Sequence, residues 1–263
     1  MTGWVFFVTA GMTGAVLGSF VNVVIYRGPV MWRLVDAPPR GNLAFPRSNC
    51  PNCKAPIRAV HLIPLLSYAM LRGKCAACQA PIPLRYPVVE LLGAMAALSS
   101  AMVFGATMAG VLSLLFLLTL LALAFIDAET GYLPDMLTLP LIFLGLGANA
   151  FAVFTPIVAA AVGAAIGYAA FRLIDIAFLH LRGVEGLGQG DAKLLAAIGA
   201  WLGWTALPVV VFLAALLALL GVLAQSISGV RIARDTAIAF GPALAAAGAV
   251  ALIARGLALP FFA

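Results

Sequence analysis

Charge is what this chain has least of: 9% of its 263 residues are charged, while 64% are hydrophobic. An ordinary soluble domain carries about 25% charged residues, so a water-soluble globule is excluded. The mean hydropathy of +1.13 points to an integral membrane protein. Strict alternation of polarity is also absent, which argues against a barrel. The apolar runs read instead as spanning helices, each needing roughly 20 residues to cross ~30 Å of hydrocarbon. The opening stretch MTGWVFFVTAGMTGAVLGSF lacks the basic region of a cleaved signal peptide and reads as a retained first span. No glycine fingerprint of a nucleotide site is present either.

The net charge of +6 does not signal nucleic acid. Nine of the fifteen Lys and Arg fall between Arg27 and Arg85, in one loop. Basic residues of membrane proteins collect in cytoplasmic loops, so the partner implied is a lipid bilayer and no nucleic acid is expected. Spans are predicted at 4–26, 87–106, 108–126, 136–154, 157–180, 191–204, 205–227 and 239–259, which makes about eight transmembrane helices. The 191–204 segment is short for a crossing at 1.5 Å per residue. With the 27–86 loop inside, the N-terminus lies outside. The chain then emerges inside after residues 126 and 180, and Arg182, Arg231 and Arg234 fall inside as well.

All four cysteines belong to an internal repeat, CPNCKAPI at 50–57 and CAACQAPI at 75–82. Two C-x-x-C pairs match a tetrathiolate zinc site, whose closed shell leaves no position for water and serves folding rather than catalysis. An inverted topology would favour two disulfides instead. His61, between the knuckles, reads as a packed or exposed side chain. Turns and short strands are expected around the knuckles.

Of nine acidic residues, most have plain explanations. Asp175 pairs with Arg172 at i,i+3. Asp135, after Pro134, reads as an N-cap, Glu129 as a solvated residue and Asp235 as loop surface. Glu90 anchors its span or pairs with Arg85. Asp127 is different, because it ends the run LLFLLTLLALAFID, where a helix C-terminus disfavours negative charge. Asp191 follows the glycines of GLGQGD and either caps the next helix or joins Asp127 in one site. The two are 64 positions apart (191 minus 127) yet emerge on one face in this topology.

Ionisable groups at membrane depth are costly and mostly functional. Two close carboxyls cannot both ionise easily, so one keeps a proton while the other acts as base. Such a pair can activate water against a peptide carbonyl. Gly188 and Gly190 permit close approach of a substrate backbone. Lys193 either holds a neighbouring negative charge or is a surface lysine.

Six stretches, in order, resemble one family: GSFVNVVIYR, PRSNCPNCKAPI, LRGKCAACQAPIPLRYPVVELL, FIDAETGYLPDMLTLPL, EGLGQGDAKLLAAIGAWLGW and AFGPALAAAG. They look like the type IV prepilin peptidases, aspartyl proteases of the bacterial inner membrane that serve pilus and type II secretion systems. The resemblance covers nearly the whole chain. It implies Asp127 and Asp191 as the catalytic pair, with Gly188, Gly190 and Lys193 in the supporting loop. It also implies cleavage of prepilin or pseudopilin leaders after a glycine, then N-methylation of the new N-terminus with S-adenosylmethionine.

The chain departs from the family at VHLIP, where His61 and Leu62 replace an acidic residue and asparagine often found there. That region is linked with methyl transfer, not cleavage. Asn22 matches the family and reads as a buried helix–helix hydrogen bond. The organisation expected is a first helix at 1–26, a cytoplasmic zinc-knuckle domain at 27–86 and a transmembrane protease domain at 87–263. This is an all-α polytopic protein with a periplasmic N-terminus. Its zinc (Cys50, Cys53, Cys75, Cys78) and its active site are cytoplasmic.

Two rivals are a transporter with a paired-aspartate ion site and a zinc-knuckle scaffold. A transporter more often shows inverted repeats and sites near the midplane, and neither is visible here. A scaffold would tolerate Asp127→Asn and Asp191→Asn.

Overall fold

The computed structural model of the chain describes residues 3–182, 188–227 and 239–259. Arg231, Arg234 and Asp235 lie outside them, as does the side chain of Arg182. The protein is all-helical among the described residues, and eight of its helices have 14 residues or more. Two compact units divide it, 1–106 and 107–263.

The first unit pairs α1 (Gly3–Met31) with α3 (Arg85–Phe104). Their contact is backbone on backbone. A Cβ placed on Gly93 would stand 2.6 Å from the Gly14 carbonyl oxygen, and one on Gly18 would stand 2.8 Å from that of Val89. The run Gly14-Ala-Val-Leu-Gly18 is thus a small-xxx-small seam, the usual device for close helix approach in lipid. As expected, Asn22 bridges the pair, donating to the Tyr86 carbonyl at 3.1 Å.

Helix α1 runs past the predicted end at 26 because Arg27 needs no water. Its guanidinium is buried and donates to the Asn42 and Pro46 carbonyls at 2.7 Å each. Between α1 and α3 lie the knuckles, a short 3-10 turn at Ala59–Leu62 and the small helix α2 (Leu66–Met70). Glu90, 8% exposed, accepts the Leu65 N–H at 2.8 Å, where Leu65 has φ 62°. A buried carboxyl on α3 thus holds the positive-φ turn before α2.

The second unit contains α4 (Met108–Thr130), α5 (Asp135–Ala150), α6 (Ile157–Arg182), α7 (Gln189–Leu202), α8 (Leu207–Ile227) and α9 (Gly241–Gly256). Asp175 takes Arg172 at 2.6 Å, the i,i+3 pair expected. Helix α7 is the core, touching α5, α6 and α9, and from Leu194 to Leu202 each of its residues is buried. It crosses α6 through Gly163 and Gly199; a Cβ on Gly163 would stand 2.5 Å from the Gly199 carbonyl oxygen.

A helix leaves its last four carbonyls without partners, and α7 ends among apolar side chains. Each carbonyl is nonetheless met. The Gly203 N–H takes Gly199 at 2.8 Å. Asn149 Nδ2 donates to Ala200 at 2.8 Å and Trp201 at 3.0 Å. Arg255 takes Leu202 at 2.6 Å. Asn149 Oδ1 also accepts the N–H groups of Phe154 and Thr155, both at 3.0 Å. That turn ends α5 near Ala150, short of the predicted 154.

Five helices are long and apolar enough to cross a membrane, while α5 and α9 are shorter apolar helices of 16 residues each. With 14 residues, α7 is shorter still, about 21 Å at 1.5 Å per residue. Large apolar side chains face outward along the long helices, among them Trp4, Met12 and Phe20 on α1 and Phe212, Leu219 and Leu223 on α8, as lipid requires.

Asn149→Leu should leave two carbonyls and two N–H groups buried without partners. A stability loss of roughly 2–5 kcal/mol is expected, at about 1–3 kcal/mol per orphaned group with partial relaxation. Thermal unfolding in detergent checks it, against Gly147→Ala, where an added Cβ meets nothing within 4 Å.

Candidate active site and metal centre

Helix α4 does not stop at residue 126 but continues one turn to Thr130, where Gly131 closes it with φ 70°. The Gly131 N–H bonds the Asp127 carbonyl at 2.8 Å, an αL C-cap that needs no side chain at 131. Asp127 therefore sits inside the last turn, and it faces the protein: only 6% is exposed. Its Oδ2 accepts the Gly241 N–H at 3.1 Å, from the start of α9.

Asp191 is the third residue of α7, and the N-cap is Gly188, with no side-chain capping bond. The capping alternative therefore fails. The Asp191 N–H bonds the Gly188 carbonyl at 3.1 Å, and its Oδ1 is buried without a hydrogen-bond partner among the described residues. An unpartnered buried carboxyl oxygen asks for an explanation, and one is near. Asp127 lies close enough for its charge to act on Asp191.

Of the supporting loop, Gly188 stands beside the Asp191 carboxyl, where a Cβ would lie 3.5 Å from Oδ2. Gly190 lies against Leu133, in the α4–α5 connection, and a Cβ there would approach the Leu133 Cβ to 2.8 Å. Residues 183–187, which include the first two of GLGQGD, lie outside the described residues.

Lys193 takes the charge-holding role: its Nζ donates to Asp135 Oδ1 at 2.6 Å. Asp135 corrects the N-cap expectation. Pro134 occupies the cap, and Asp135 is the first residue of α5. Its carboxylate turns to the lysine of α7 rather than back onto its own helix. This half-exposed pair adds little stability; its effect is to tie the starts of α5 and α7 together. Glu129 is exposed, as expected. Gly241 was not foreseen as part of the site. The sequence signal was the block AFGPALAAAG, which composition alone leaves without a role.

In the first unit the four cysteines come together. Their sulfurs all lie within 4.8 Å of one another, and Cys50 and Cys78 are 3.8 Å apart. A tetrahedron with metal–sulfur bonds of about 2.3 Å has edges of about 3.8 Å, so the donor set fits a metal ion. The thiols are free, not disulfides.

The internal repeat is also structural, with an offset of 25 (75 minus 50). The bridge Asn49–Pro56 recurs as Lys74–Pro81. The Cys50 N–H takes Ala55 and the Cys75 N–H takes Ala80. Lys54 and Gln79 share positive φ, at 60° and 59°. The Ala80 N–H beside Cys78 holds that thiol down at about 6. The Ala55 N–H acts likewise on Cys53, but crowding by Cys78, burial and the other sulfurs push it up to about 11. His61 does not join the cluster.

The fold is that of a polytopic helical membrane protein with Asp127 buried at the end of α4, Asp191 half-buried at the start of α7, and a tetracysteine knuckle unit. Residues 12–104 match the Bacterial Peptidase A24 N-terminal domain and residues 114–223 the Type IV leader peptidase family. Among the most similar relatives is a prepilin leader peptidase/N-methyltransferase of Neisseria gonorrhoeae. It is 43% identical, over 91% of this chain and 87% of its own. Enzymes of the same name from Burkholderia pseudomallei (strain K96243) and Aeromonas hydrophila are also 43% identical. The matches cover 91% and 95% of this chain, and 82% and 91% of theirs. No solved structure matches. The chain belongs to the type IV leader peptidase family.

Elemental analysis of the purified protein should find about one divalent metal ion per chain, as a four-sulfur shell requires. Cys50→Ser and Cys78→Ser should each bring it near zero. Unchanged content in both would place the metal elsewhere.

Proposed function

We propose that this chain is an aspartyl endopeptidase of the bacterial inner membrane. It removes the leader from type IV prepilins or type II secretion pseudopilins after a glycine, then N-methylates the new N-terminus. Asp127 and Asp191 form the catalytic pair. The single observation that carries this reading is the placement of a buried Asp127 where α4 ends within electrostatic reach of a half-buried Asp191 where α7 begins, the latter with a buried oxygen that has no partner among the described residues and with no N-cap role.

The chemistry follows from one proton shared by two carboxyls. The ionised carboxylate takes a proton from water as the water oxygen bonds to the scissile carbonyl carbon. The protonated partner gives its proton to the carbonyl oxygen, and a neutral diol forms. On collapse the C–N bond breaks. The first carboxyl passes its proton to the departing amine nitrogen, while the second recovers one from a diol hydroxyl. The pair ends as it began. The leader junction of the substrate would lie at the cytoplasmic membrane surface beside these residues. The eight helices are read as eight crossings, with the knuckle domain at 27–86 and the protease domain at 87–263.

The metal of the knuckles is read as structural zinc, held by Cys50, Cys53, Cys75 and Cys78. Four sulfurs close its shell, so its role is folding. S-adenosylmethionine supplies an electrophilic methyl group when bound. An open cavity of about 450 Å³ at the end of α1 offers Arg33 to the carboxylate and Asp36 to the ammonium of the cofactor's amino-acid end, with Val30, Met31 and Val35 as apolar wall.

Purified Asp127→Asn and Asp191→Asn, folded and metal-loaded, should each cut a synthetic prepilin leader at least about 10³-fold more slowly than the wild type, the loss expected when an essential acid–base group is removed. Mass spectrometry of the product should show the added methyl only with S-adenosylmethionine present, and Arg33→Ala should lose it without losing cleavage. Near-wild-type cleavage by either aspartate variant would return both residues to structural duty.

A further inference from the structure

We propose that Gly241 is a positioning residue of the aspartate pair: its backbone N–H holds Asp127 Oδ2, and its missing side chain is the space which that carboxylate occupies. The inference rests on the peptidase reading of Asp127 and Asp191.

The first turn of a helix carries N–H groups with no partner inside the helix. At the start of α9, Gly241 supplies one, and Pro242 after it has none to give. The Gly241 N–H points at Asp127 Oδ2, 3.1 Å away. A donated N–H and the positive end of a helix both stabilise negative charge on that oxygen. They also fix the plane of the carboxylate, so that its other oxygen faces one direction.

Space is the second constraint. The three nearest heavy atoms that a Cβ on Gly241 would meet all belong to Asp127: Oδ2 at 2.5 Å, Cγ at 2.8 Å and Cβ at 3.2 Å. Such a contact cannot be relieved by a neighbour's flexible tip. It demands that Asp127 move, and Asp127 is buried in the last turn of a capped helix. The backbone torsion does not explain the glycine, since Gly241 is not among the positive-φ residues. Its absent side chain serves Asp127. The block AFGPALAAAG thereby acquires a role: it brings a bare backbone amide against a carboxylate 114 positions earlier.

The test compares kcat and KM for a synthetic prepilin leader across four proteins. Gly241→Ala inserts the clash. Replacing Gly241 by glycolic acid turns its amide into an ester, which deletes the donor and adds no side chain. Asp127→Asn reports on the pair itself. Gly248→Ala crowds Ile198 in the same helix and controls for packing.

The ester and Gly241→Ala should each lower kcat roughly 10- to 100-fold, as loss of a hydrogen bond to a charged group does, with KM within about twofold. Gly248→Ala should lower the melting temperature but not the kcat of the folded enzyme. Wild-type kcat in the ester variant overturns the inference while inactive Asp127→Asn preserves the peptidase reading. Active Asp127→Asn sinks that reading instead. If Gly241→Ala does not fold, the ester decides alone. A kcat loss matched by an equal change in KM, or explained by the folded fraction, would make Gly241 a packing residue only.

Discussion

The short helix α7 must end inside the protein, and the rest of the second unit is arranged around that requirement. A backbone carbonyl buried without a partner costs on the order of 1–3 kcal/mol, and α7 would leave four. Asn149 from α5, Arg255 from α9 and the turn at Gly203 meet all four. These bonds fix the depth of α7 from its far end. Gly163 and Gly199 fix its distance from α6. With its depth and lateral position set, the start of α7 has little freedom, and Asp191 is in its first turn.

The site is accordingly a meeting of helix ends. Helix α4 brings Asp127 in its last turn, α7 brings Asp191 in its first, and α9 brings the Gly241 amide. Two glycines stand where these ends crowd, Gly190 against Leu133 and Gly241 against Asp127. Lys193 and Asp135 tie α7 to α5 just outside. Carboxyls carried on rigid helix ends, rather than on loops, suit the proposed pair, in which one proton would be shared at fixed separation. The knuckle unit shows the same economy of means, one eight-residue turn used twice around four sulfurs.

Much of this was legible in the sequence, because much of it is local. Hydrophobic runs gave the helices, C-x-x-C spacing the cysteine cluster, and i,i+3 spacing the Arg172–Asp175 pair. The isolation of Asp127 in an apolar run marked it as unusual. The partners chosen across the fold were less visible. Asp135 looked like a cap because Pro134 precedes it, yet its partner is a lysine 58 residues later. The roles of Asn149 and Arg255 are not visible in sequence, since nothing in an apolar stretch says that a distant helix ends beside it. The seam Gly14-Ala-Val-Leu-Gly18 and its counterpart Gly163-Ala-Ala-Ile-Gly167 were readable as close-packing motifs, but reading them required attention to small residues rather than to charge. Helix ends drifted by a few residues wherever a side chain, such as Arg27 or Asn149, found its partner in protein instead of water.

The central claim is that Asp127 and Asp191 act as one unit. The most direct measurement is the residual leader-cleavage rate of the Asp127→Asn/Asp191→Asn double variant beside the two single variants. Residues that share one step are strongly non-additive. The account predicts a double variant no slower, within about threefold, than the slower single variant. Losses that multiply would mean that the two carboxyls contribute independently, and would contradict it.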